Sequence, residues 1–123
     1  MEKLKMTNSL YESFRESDGG HRATGLLVRH RESLRDMFEV VFHCVAATIP
    51  SLVPEKRYTT EQLCGPELWA MWPHFGQRCS AGMCLAYCVE VGALALERHE
   101  TKSGSGTNHY FVPLKQIRVL DSD

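Results

Sequence analysis

The sequence predicts a mainly helical α+β fold, in which a three-helix core is closed by a C-terminal β-hairpin and preceded by an extra N-terminal arm or helix. Three observations lead there. Leu34, Met37, Phe38, Val41, Phe42, Val45 and Ile49 recur at the i, i+3, i+4 spacing that lines one face of a helix. A second helical pattern runs through SAGMCLAYCVEV, from Ser80 to Val91. Two short runs of alternating apolar residues, Leu94/Leu96 and Tyr110/Val112/Leu114, flank the polar loop RHETKSGSGTNHY, as the strands of a hairpin should.

Bulk properties narrow the class of protein. A chain of 123 residues with 43% apolar content suits one domain with a core of its own. The expected division is a flexible arm over residues 1–20 and a single domain over 21–123. Fourteen basic and fifteen acidic side chains, for a net charge of -1, argue against indiscriminate coating of nucleic acid. They leave room for basic groups gathered on one face. The opening MEKLKMTNSLYESFRE lacks the apolar run of a secretory signal. The longest apolar stretch, MFEVVFHCVAATI, is broken by Glu39 and His43 and is too short to span a bilayer. A cytoplasmic protein with no membrane partner is expected.

Five cysteines speak against a disulfide framework in such a chain. A zinc site from Cys64, His74, Cys84 and Cys88 is conceivable by residue type, but no paired C-x2-C knuckle occurs. Core packing is the expected role of these thiols, and no metal or cofactor is expected.

Residues 1–20 end in Asp18-Gly19-Gly20, a strong break, with Leu10, Tyr11 and Phe14 at helical spacing; a mobile arm or a short docking helix would fit. HRATGLLVRHRESLR is the most basic window, where Arg22, Arg29, Arg31 and Arg35 face only Glu32. It reads as a solvated helix flank or a phosphate-contacting patch. Ser33 caps the long helix, with Asp36 three residues on, and Pro50 stops it. Arg57-Tyr58-Thr59 favours a strand. Thr59 or Thr60 then caps a short helix that Gly65 ends. Pro66 opens a further turn, PELWAMW, which Pro73 closes; Trp69 and Trp72 should pack against the long helix. In the second helix Ala81, Cys84, Leu85, Cys88 and Val91 share the inward face. Ser80, Met83, Tyr87 and Glu90 lie toward the opposite side, with Gln77 and Arg78 at the entrance and Gly92 as the αL residue at its end.

The polar loop is not a linker, because too little chain follows it to form a second domain. It is not a phosphate loop either: SGSG lacks GK[ST] and no helix follows. Glycine and serine suit a hairpin tip, where positive φ costs little.

In order, RYTTEQL, SAGMCLAYCVEVGAL and LALERHETKSGSGTNHYFVPL resemble the winged helix-turn-helix superfamily, in its small bacterial or phage form. The resemblance covers about two thirds of the chain and excludes its N-terminal third. It implies duplex DNA as partner, with a recognition helix over about 78–91, a wing over about 94–114, and a role in transcription regulation. By position, Arg78 would contact base or phosphate, and Ser80, Met83 and Tyr87 would face the groove. Thr59 or Thr60 would hydrogen-bond phosphate, as would Lys102, Ser103, Ser105 and Asn108 from the wing, while Arg29 and Arg31 (with Arg22) extend the footprint. The sequence departs from the pattern in two ways. PELWAMWPHFG is longer and more aromatic than a tight turn, and the recognition helix is poor in basic residues. A winged helix serving as a protein-interaction module is therefore the alternative. A homodimer through the long helix or the Trp69/Trp72 face would suit either. No enzyme is expected, since the nearby His74 and Cys79 lack the long-range arrangement of a nucleophile and its base.

Overall fold

The computed structural model describes residues 2–28, 32–99 and 108–114, with side chains from Asn8 onward. The chain is mainly helical with one small antiparallel sheet. Helices α1 (Glu2–Glu16), α2 (Asp18–Leu27) and α3 (Leu34–Thr48) lead to strand β1 (Tyr58–Thr59). Then come α4 (Thr60–Cys64), α5 (Pro66–Ala70), α6 (Phe75–Glu90), and the strands β2 (Glu97–His99) and β3 (His109–Phe111). In the sheet β3 is central, in the order β1-β3-β2, with Tyr58 opposite Tyr110 and Arg98 opposite Tyr110 on its other side.

Local signals set most boundaries. Ser33 Oγ accepts from the Asp36 N–H at 3.3 Å and starts α3, whose Leu34, Met37, Phe38, Val41 and Val45 are buried. Pro50 sits in the 3-10 turn Ile49–Ser51 that ends it. Thr59 and Gln62 exchange the two bonds of a capping box, 3.2 and 2.9 Å, which satisfies donors left unpaired at the start of α4. Gly65, at φ 90°, breaks the chain between α4 and α5, and Gly92, at φ 78°, turns it after α6. Glu55 also holds a positive φ of 68°. Two bonds to the segment after β3 fix it there: Glu55 N–H to Val112 O at 2.9 Å, and Leu114 N–H to Glu55 Oε1 at 3.1 Å.

The N-terminal segment differs from the expected mobile arm. Residues 2–16 form α1, and Phe14 is buried, stacked on Phe38 of α3 at 5.1 Å between centroids and tilted against Tyr87 of α6 at 5.2 Å. Arg35 donates to Asn8, adding a polar tie between α3 and α1. The corner into α2 is tight enough that a Cβ on Gly20 would lie 2.0 Å from the Phe14 carbonyl oxygen. Ser17 caps α2 by accepting from the Gly20 N–H.

One buried cluster takes residues from α1, α2, α3, α4, α6 and the sheet. Trp72 belongs to it. Of the surfaces named above for a dimer, the apolar face of the long helix and Trp72 are largely occupied within the chain, while Trp69 is half-buried. The half-buried strand expected from Leu94 begins instead at Glu97. Leu94 and Leu96 are buried in the turn that precedes it. Among the described residues, no helix is long and apolar enough to cross a membrane.

Candidate nucleic-acid interface

Helix α6 starts at Phe75, five residues before the Ser80 start expected from sequence. Gln77 draws the start forward: its Oε1 accepts from the His74 N–H at 3.1 Å. The same side chain donates through Nε2 to Glu32 at 2.8 Å, and Glu32 also accepts from Trp72 Nε1 at 2.9 Å. One carboxylate in the loop before α3 thereby clasps both the tryptophan turn and the first turn of α6. Its negative charge also sits near the positive end of that helix, where it is favourable.

From this anchored start, α6 divides into two arcs. Gln77, Ser80, Ala81, Cys84, Leu85 and Cys88 are buried. Ser80 does not face a groove, contrary to expectation; it is fully buried and donates to the Ala23 carbonyl of α2 at 3.2 Å. Tyr87 is also placed elsewhere, against Phe14 of α1. The physical reason is common to both. With α1 and α2 folded onto α6, the covered arc is wider than a packing partner in α3 alone would need.

The opposite arc borders an open groove of about 590 Å³. Five of the sequence-designated residues meet there: Thr59, Thr60, Arg78, Met83 and Asn108. Glu61, Trp69, Phe75, Cys79, Gly82 and Ala86 complete the lining. Phe75, 83% exposed at the first position of α6, is the most exposed large apolar side chain described. Nothing in its periodicity marked it, because the helix was expected to start after it. Arg78 is not a free cation: its Nε donates to the Trp72 carbonyl at 2.7 Å and its guanidinium lies 5.4 Å from the centre of the Trp69 ring. Trp69 in turn meets Trp72 edge-on at 6.2 Å.

A second, smaller recess continues along the same arc, where Glu90 of α6 faces Glu97 and Arg98 of β2. The groove and this recess together carry the carboxylates Glu61, Glu90 and Glu97 beside the cations Arg78 and Arg98. Lys56 and Arg57 are exposed just before β1. Beside the groove, β3 holds a buried polar atom with no hydrogen-bond partner among the described residues, His109 Nδ1. Burial pushes the Tyr110 phenol up to about 12, against the pull of Arg98. Arg29, Arg31, Lys102, Ser103 and Ser105, also named for DNA contact, lie outside the described residues.

Cys64, Cys84 and Cys88 are core side chains. Burial pushes the Cys64 and Cys88 thiols up to about 12 and raises that of Cys84 as well, which disfavours the thiolate a metal would need. His74 is exposed at the start of α6, and no group of three potential ligands is assembled among the described residues. Searches against family models, curated proteins and solved structures find no match to this chain.

Proposed function

We propose that the chain is a winged-helix DNA-binding protein, a small transcriptional regulator of bacterial, phage or plasmid type. The observation that carries the reading is topological. Helix, strand, two short helices, long helix and hairpin follow one another from α3 to β3, and the last strand inserts between the other two, β1-β3-β2. In that arrangement the outer arc of α6 is the recognition surface and the β2–β3 hairpin the wing. Hydroxyl and amide groups of Thr59, Thr60 and Asn108 border it, and Lys56, Arg57 and Arg98 stand on flanking strands or their approaches, suited to phosphate.

Fluorescence anisotropy with an arbitrary duplex at low salt tests the proposal. Binding should weaken steeply as salt rises, because released counterions drive it. Lys102→Ala and Arg98→Ala should each lower affinity and flatten the salt slope by about one charge. Arg78→Ala should weaken binding as well, in part by releasing Trp69. Absence of binding at micromolar protein sinks the reading.

A second reading, a protein-interaction module on the same scaffold, is favoured by one feature. Three carboxylates lining the groove and its neighbouring recess, with an exposed phenylalanine on α6, suit a polypeptide better than a phosphate backbone.

A further inference from the structure

The main groove at the mouth of α6 is poorly made for phosphate. Among the described residues its one cation is Arg78, which is tied to Trp72 and Trp69, and Glu61 in the same lining repels an anion. Its composition instead complements a neutral, planar group edged with amines and carbonyls. Phe75 offers an almost uncovered ring, and the Arg78 guanidinium lies 5.4 Å from the centre of the Trp69 ring. Flat guanidinium and aromatic surfaces of this kind are where unstacked bases lie. Around them stand Glu61, an acceptor for an exocyclic amine, and Asn108 and Thr60, which both donate and accept. The volume, about 590 Å³, falls within the range of about 300–1,000 Å³ typical of sites for small organic ligands.

We infer that this groove receives a single unstacked nucleobase, with Phe75 as the stacking surface and Glu61 and Asn108 as readers of the base edge. The inference rests on the nucleic-acid reading above and adds to it a ligand group and a site. Its consequence is that the chain prefers DNA in which one base is already unpaired, because the cost of extracting it from the stack is then smallest.

Anisotropy of the full chain at low salt should compare an intact duplex, the same duplex carrying one unpaired base, and its single strand. The unpaired and single-stranded probes should bind about tenfold more tightly than the intact duplex. A fluorescent purine analogue at the unpaired position should change emission on binding. Phe75→Ala should abolish both the preference and the emission change, and Phe75→Trp should retain them. The Phe75 side chain is in solvent, so circular dichroism should show an unaltered fold. Equal affinity for intact and unpaired duplex, or a preference that survives Phe75→Ala, overturns the inference and leaves the DNA reading standing. Failure to bind all three probes overturns both, and points to an apolar side chain of a protein partner as the occupant.

Discussion

The two arcs of α6 are made of similar residues and have opposite fates. The inner arc has the small side chains Ser80 and Ala81, and α2 comes close enough there for Ser80 to bond the Ala23 backbone. The outer arc has Cys79, Gly82 and Ala86, equally small, and no described residue fills the space above them; it becomes the floor of the groove. Small residues on a helix thus mark either a close approach or a vacancy. Which of the two results depends on what the rest of the chain lays over them.

The strongest way to break this contrast is to remove the element that widens the covered arc. Phe14→Ala deletes the ring shared by α1, α3 and α6 and should cost about 3–5 kcal/mol in urea unfolding. If the cost is below 1 kcal/mol, α1 is not part of the fold and Tyr87 returns to the surface. Raising pH should act on the same buried core. Because Cys64, Cys88 and Tyr110 have folded values near 12, above their ordinary 9.0 and 10.0, the unfolded chain loses protons first. Stability is full below about pH 9 and falls as pH climbs toward 12, on the order of 1.4 kcal/mol per pH unit for each group titrating. Denaturant midpoints from pH 7 to 11 measure it.

Glu32→Ala should cost about 1–3 kcal/mol, since it strips Trp72 Nε1 and the Gln77 amide of their acceptor in a partly buried setting. It should also loosen the mouth of the groove, seen as a shift in tryptophan emission. The smallest effect belongs to the outer arc. A Cβ on Gly82 would meet nothing within 4 Å, so Gly82→Ala should stabilise α6 by about 0.5–1 kcal/mol. If the groove binds a ligand, the same methyl should weaken that binding. A variant that is less stable would mean that the outer arc is covered after all.

Much of this architecture was legible in short windows of sequence. Ser33 and Asp36 announced the start of α3, Thr59 or Thr60 that of α4, and Gly65 and Gly92 the turns after α4 and α6, because each signal involves backbone groups a few residues apart. Of the candidate site, Thr59, Thr60, Arg78, Met83 and Asn108 were identified from the order of elements, and the structure brings them to one groove. Ser80 and Tyr87 were assigned to the wrong side and Phe75 was missed. The causes differ: α2 covers Ser80 through Ala23, Phe14 of α1 covers Tyr87, and Phe75 precedes the start that the sequence suggested for α6.

What the residues determined unaided was local: helix periods, caps, breaks at proline, and turns at positive φ. Only the tertiary structure decided which side of α6 stays open. That choice rests on contacts such as Ser80 with Ala23, 57 residues apart, and Gln77 with Glu32, 45 apart. A helix exposes whatever its distant neighbours fail to cover, and no pattern confined to the helix itself records where those neighbours lie.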